Sequence, residues 1–240
     1  MLKENNTMIK IENLSKTYGN KEVLQIEELI IKNGESLGLV GNNGAGKTTL
    51  FSLLLDLIQP SSGRVISKDI IVSESEKWKP FTTSFIDESF LIGYLTPEEY
   101  FYFIGELRNQ NKADIDSFLA NFEEFFNDEI LNQKKYLRDL SKGNQKKVGI
   151  IAALIGNPKI IILDEPFANL DPTTQFRLKK ILKNLIENQN VTLLISSHDL
   201  THVTEVSERI VVLEKGKIVI DTPKSEKTLE ELNTYFGGEE

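Results

Sequence analysis

The chain has 240 residues, 40% hydrophobic and 27% charged, which is the make-up of an ordinary globular protein able to bury a full core. Its net charge of −8 excludes a general nucleic-acid-binding surface, which needs clustered Lys and Arg, and no basic stripe runs along it. With no cysteine, disulfides and thiol chemistry are excluded; no apolar run approaches the roughly 18 residues that span a bilayer, so any membrane role acts from the surface through a partner. Residues 1–6 lack the apolar core of a signal peptide.

Residues 8–14 alternate apolar and polar and, with 23–31, predict an antiparallel pair around the turn Tyr18-Gly19-Asn20. Asn33-Gly34-Glu35 turns the chain into the apolar strand Ser36-Leu37-Gly38-Leu39-Val40. A glycine-rich loop then feeds a helix expected over 46–58, stopped by Gln59-Pro60-Ser61-Ser62-Gly63. Residues 64–72 read as short strand material. Trp78, between Lys77 and Lys79 in a polar stretch, is expected as a half-covered surface ring. Residues 82–86 predict a short buried strand.

From 97 to 128 the pattern is helical, with Thr96 as cap and Pro97 in the first turn. Its many aromatics are expected to pack a helical subdomain inserted at about 88–145. Then follow a helix at 142–155, a strand at 159–163, a helix at 174–187 and a strand at 191–195. A short helix at 200–206, a hairpin of 209–213 with 218–221 and a helix at 225–235 complete the chain. Near-continuous apolar strands alternating with helices predict an α/β fold, a mostly parallel sheet covered on both faces. An antiparallel β subdomain near the N-terminus joins it in one domain spanning 1–240.

The organising stretch is Gly41-Asn42-Asn43-Gly44-Ala45-Gly46-Lys47-Thr48, a G-x-x-x-x-G-K-[ST] match between strand and helix. Its glycines let successive N–H groups face an anion, and the positive end of the helix that follows, where Thr49 lies, adds to that field. Lys47 reaches the β- and γ-phosphates, and the Thr48 hydroxyl ligates Mg²⁺. The chain is therefore expected to bind a nucleoside triphosphate through residues 41–49. A second anchor is Ile160-Ile161-Ile162-Leu163-Asp164-Glu165, where the first carboxylate emerges at the C-terminal end of a buried strand, the place where open α/β sheets bind ligands. Asp164 there suits Mg²⁺ through its water shell, and Glu165 suits the orientation or deprotonation of the attacking water.

With these motifs in place, the chain resembles the nucleotide-binding subunit of an ATP-binding cassette (ABC) transporter over nearly its whole length. The resemblance implies a P-loop NTPase core of ABC type, ATP and Mg²⁺ as ligands, and hydrolysis at two composite sites of a homo- or heterodimer. Leu140-Ser141-Lys142-Gly143-Asn144 stands where the family's Leu-Ser-Gly-Gly-Gln signature lies, so Ser141, Lys142, Gly143 and Asn144 are expected at the partner's γ-phosphate. Asp171, in Ala168-Asn169-Leu170-Asp171, occupies the loop that crosses the dimer interface. His198 occupies the switch-histidine position at the γ-phosphate, and Tyr18 the aromatic position that stacks on adenine. His202 is expected to be structural, since His198 and His202 with no third ligand do not make a metal site.

One departure concerns the Gln that the family places after the strand ending near Ile86. Here the stretch is Phe85-Ile86-Asp87-Glu88-Ser89, and Asp87 is the aligned residue, a hard-oxygen ligand for Mg²⁺ that adds negative charge beside a triphosphate. The resemblance further implies integral membrane permease partners, no nucleic-acid partner, and a peripheral place on the cytoplasmic face of the membrane. The Leu-Ser-Lys-Gly signature is most similar to subunits of multidrug and other efflux systems. The rival expectations are a soluble ABC ATPase of translation or DNA repair, and a regulatory module without catalysis, which Glu165 and His198 disfavour.

Overall fold

The computed structural model describes residues 6–237. Two long strands, β1 (Thr7–Tyr18) and β2 (Lys21–Lys32), pair antiparallel around Gly19-Asn20. β3 (Ser36–Val40) is wholly buried and runs into the glycine loop and α1 (Lys47–Leu54). This helix ends four residues before the expected Ile58, because Leu55 leaves helical geometry and Asp56 takes a left-handed φ of 54°. β4 (Ser62–Ser67) pairs with β1 on its free side, and β5 (Ile70–Ile71) with β4, closing a four-stranded antiparallel sheet ordered β2-β1-β4-β5.

The second sheet carries β6 (Thr82–Phe85), β7 (Ile160–Leu163), β8 (Thr192–Ser197), β9 (Arg209–Glu214) and β10 (Lys217–Pro223) beside β3. Its order is β10-β9-β3-β8-β7-β6, parallel throughout except for the β9–β10 hairpin. Between β6 and β7 come α2 (Pro97–Leu107), α3 (Lys112–Leu119), α4 (Glu123–Phe126) and α5 (Lys142–Ala152). α6 (Pro172–Gln189) follows β7, α7 (Leu200–Val206) follows β8, and α8 (Thr228–Gly237) closes the described chain.

α2 starts where sequence placed it, with a full capping box between Thr96 and Glu99. Several aromatics of α2–α4 pack inward, though Phe103 stays exposed: Phe101, Phe125 and Phe126 are buried, with ring centroids 5.8 Å apart for Phe101–Phe126. They share one cluster with Val148 and Ile151 of α5 and Ile161 and Leu163 of β7. The helical segment is thus fused to one face of the parallel sheet. The opposite face packs Leu50 and Phe51 of α1 with Ile11, Leu24 and Ile31 of the antiparallel sheet.

Trp78 corrects the expectation of a half-covered surface ring. It is 4% exposed, packed with Val72, and its indole N–H donates to the Val72 carbonyl at 3.1 Å. The flanking lysines point to the polar environment of their own side chains; a ring whose N–H finds a backbone acceptor can be buried without an unpaired donor.

Candidate nucleotide site

The phosphate loop is held by its surroundings as well as by its glycines. Gly46 caps α1 at φ 110°, a conformation that L side chains rarely adopt. A Cβ on Gly41 would lie 2.3 Å from the Leu213 carbonyl oxygen of β9, so only glycine lets the loop press against that strand. The Gly216 N–H donates to the Ala45 carbonyl at 2.9 Å, fixing the loop against the β9–β10 turn. Lys47 is buried, and its ammonium donates to the Gly41 carbonyl at 2.6 Å, curling back over the loop.

Strand order brings the second anchor to this loop. β7 lies next to β8, and β8 next to β3, so Asp164 emerges beside Ser196 and opposite the start of α1. The Thr48 hydroxyl donates to Asp164 Oδ2 at 2.5 Å, and the Ser196 hydroxyl donates to Asp164 Oδ1. Burial pushes the Asp164 carboxyl above its ordinary pKa, and the two hydroxyl donors pull against that rise. The donor set, one hydroxyl and one carboxylate meeting at the mouth of the loop, is the hard-oxygen chemistry that Mg²⁺ prefers. These residues therefore fit a divalent cation.

Glu165 bends over the same loop. Its Oε1 lies 3.4 Å from the Lys47 ammonium, and its Oε2 accepts from His198 Nδ1 at 2.9 Å. Oε1 is buried and makes no hydrogen bond, its ion-pair partner being the Lys47 ammonium. Lys47, Thr48, Asp164, Glu165 and His198 thus converge, although 116 residues separate Thr48 from Asp164.

The other expected residues lie apart from this cluster. Ser141, Lys142, Gly143 and Asn144 line a shallow cavity of about 390 Å³ with Asn169, Leu170 and Asp171. Ser141 caps α5 by accepting from the Asn144 N–H at 3.2 Å, and a Cβ on Gly143 would lie 2.9 Å from the Asn169 carbonyl. The signature and the Asp171 loop therefore form one surface. Asp171 accepts from the Thr174 hydroxyl at 2.5 Å and from the Thr174 N–H at 3.0 Å at the head of α6, and those bonds hold its carboxyl below the ordinary range. Tyr18 is exposed at the end of β1, with the Lys16 ammonium 4.9 Å from its ring centroid. Asp87 is exposed and accepts from the Ser89 N–H at 2.7 Å; that turn, with Lys142 and Lys146 adding to it, holds its carboxyl low. His202 is half-buried, its ring 4.8 Å from that of Phe167, while His198 turns to Glu165.

Two residues at the site escaped the sequence reading. Ser196 bonds both Asp164 and the Glu165 N–H, the latter at 2.9 Å. Its signal was present: it is the first polar residue after the apolar run 191–195, as Asp164 is after 160–163. Lys146 donates to the Glu165 carbonyl at 2.8 Å, and no local pattern marks it.

The family model described as ABC transporter matches residues 24–168. The chain belongs to that family, and it is an ATPase and the ATP-binding subunit of a transporter. The ABC transporter ATP-binding protein YhaQ of Bacillus subtilis is 33% identical over 96% of this chain and 74% of its own length. The lipopolysaccharide export system ATP-binding protein LptB of Haemophilus influenzae is 30% identical over 98% of both chains. The spermidine/putrescine import ATP-binding protein PotA of Bacillus cereus is 30% identical over 90% of this chain and 66% of its own length. Among solved structures, the dimeric bacterial cassette MJ0796 superposes with a TM-score of 0.82 at 25% identity, over 91% of this chain and 99% of that one.

Proposed function

We propose that this chain, as one ABC ATPase domain, hydrolyses ATP in a dimer and thereby drives an integral membrane partner, most simply an exporter. The observation that carries the catalytic reading is the convergence of Lys47, Thr48, Asp164, Glu165 and His198 on the mouth of one glycine loop. Lys47 and the loop amides neutralise the phosphates, and Thr48 and Asp164 would hold Mg²⁺, which would supply further charge neutralisation there. Glu165 orients and deprotonates water, and His198 holds both Glu165 and the γ-phosphate position. Tyr18 offers its exposed face to the base, and Asn42, Asn43, Ala45 and Thr49 complete the loop. Asp87, exposed in the turn after β6, is assigned as a further oxygen ligand for the cation only by its alignment with the family's loop Gln.

The signature cavity of Ser141, Lys142, Gly143 and Asn144 shares no lining residue with the chain's own phosphate loop and includes Asp171, which supports a role in completing a partner's site. Splitting the site makes closure a condition for chemistry, so closure can move an attached protein. Among the described residues no helix is long and apolar enough to cross a membrane. Export rests on the Leu140-Ser141-Lys142-Gly143 wording of the signature; proteins named for export and for import are both 30% identical to this chain.

The test uses Glu165→Gln. ATP binding should persist while hydrolysis falls by about 10²–10⁴-fold, the usual worth of a general base; parent-rate turnover would refute the assignment. The same variant, used with ATP and Mg²⁺ as bait in detergent-solubilised membranes, should retain an integral membrane protein. Recovery of soluble partners alone would favour a non-transport ABC ATPase at the cytoplasmic side.

A further inference from the structure

Glu165 sits in a backbone conformation that its sequence opposes. Its φ is +46°, left-handed for a residue with a Cβ, and Pro166 follows, which disfavours anything but an extended predecessor. Such strain persists only where neighbours over-determine it. Three backbone bonds do so: the Glu165 N–H donates to Ser196 Oγ at 2.9 Å, and its carbonyl accepts from the Lys146 ammonium at 2.8 Å and from the Ala168 N–H at 3.3 Å.

Lys146 is an unusual donor for that task. It lies on α5, one turn beyond the Ser141 cap, and is 5% exposed. An ammonium so buried needs a countercharge. Glu88, 12% exposed in the turn after β6, supplies it with Oε1 3.5 Å away, and that oxygen has no other hydrogen-bond donor. A buried ion pair thus bears on one backbone carbonyl, that of Glu165.

We propose that Lys146 is a positioning residue for hydrolysis: its ammonium, neutralised by Glu88, holds the Glu165 carbonyl and keeps the Glu165 carboxylate aimed over the phosphate loop. Because Lys146 belongs to the helix that opens with the signature and Glu88 to the turn after β6, both segments bear on Glu165 through this one contact. The inference rests on the reading of Glu165 as the group that directs water.

The experiment compares steady-state ATPase kinetics, ATP affinity and melting of Lys146→Met, Lys146→Arg, Glu165→Gln and the Lys146→Met/Glu165→Gln double variant. Misplacing a reacting group by about 1 Å costs on the order of 10²-fold, so Lys146→Met should lose about 10- to 100-fold in kcat with KM nearly unchanged. Lys146→Arg, which keeps charge and donors, should recover most of the loss. In the Glu165→Gln background, Lys146→Met should change the residual rate by less than about twofold, since both act through one group. If Lys146→Met lowers both backgrounds alike, its role is structural and the proposal falls. It falls too if Lys146→Met keeps the parent kcat while Glu165→Gln collapses. Should Glu165→Gln itself turn over at the parent rate, the reading of the base fails first. Where Lys146→Met does not fold, Glu88→Gln carries the test: kcat lower by about 3- to 10-fold at constant KM supports the proposal, and an unchanged kcat overturns it.

Discussion

Gly149→Ala offers a sharp test of the packing between α5 and the parallel sheet. In an average exposed helix this exchange stabilises by about 0.5–1 kcal/mol, because alanine has less backbone entropy to lose. Here a Cβ on Gly149 would lie 2.1 and 2.2 Å from Cε2 and Cδ2 of the Phe85 ring, more than 1 Å inside the ordinary separation of about 3.5 Å. The ring cannot swing away freely: Phe85 is 4% exposed, packed in the main cluster, and its carbonyl accepts the Asp164 N–H at 2.9 Å. Overpacking this deep belongs at the upper end of the usual cost, about 2–3 kcal/mol, which outweighs an entropic gain of about 1 kcal/mol and leaves a net loss of about 1–2 kcal/mol. For a chain of this size that lowers Tm by about 2–8 °C. Scanning calorimetry or urea titration of the apo protein reads it directly. Phe85→Leu should relieve the clash, so the pair should couple by about 1 kcal/mol in a double-mutant cycle. A Gly149→Ala protein that melts at or above the parent, or strict additivity with Phe85→Leu, would refute the reasoning.

Other outcomes follow from single contacts. Arg108, at the end of α2, donates to the Lys79, Pro80 and Thr82 carbonyls at 2.8–3.0 Å, so Arg108→Ala should cost about 2 kcal/mol in a denaturant titration. Arg108→Lys, lacking the fork, should recover less than half; full recovery would deny the three-carbonyl grip. Burial holds the His202 imidazole below its ordinary pKa against the pull of Asp199 and Glu205 and with the push of Lys179 and His198. The unfolded chain therefore takes up the proton first, and stability present above about pH 6.5 is lost as pH falls below it. Tm should drop between pH 7 and pH 5 more steeply in the parent than in His202→Gln, and equal slopes would contradict this. On the proposal that Asp87 is a ligand of the cation, Asp87→Gln should shift the Mg²⁺ concentration giving half-maximal ATPase several-fold; an unchanged Mg²⁺ dependence and rate would remove Asp87 from the cation's surroundings.

Much of the fold was legible because its signals are local. Thr96-Pro97 marks the start of α2 through capping chemistry within four residues, and α7 follows from the periodicity of its own seven. α1 ends four residues short of the expected Ile58, since Leu57 and Ile58 continue an apolar pattern while Asp56 turns left-handed. Trp78 was misplaced because flanking charge says nothing about whether an indole N–H finds a carbonyl in a turn six residues back.

By itself the sequence determined the phosphate loop, whose Gly41, Gly46, Lys47 and Thr48 act through short-range geometry, and the carboxylates that emerge after the run 160–163. Only the tertiary structure decided which of these meet. Asp164 reaches Thr48 because β8 lies between β7 and β3, an order set by packing both sheet faces rather than by any local pattern. The same order brings Ser196 to Asp164, and the docking of α5 brings Lys146 to the Glu165 carbonyl. A buried ammonium leaves no mark in sequence, since its meaning lies in the carboxylate and carbonyl that folding places around it.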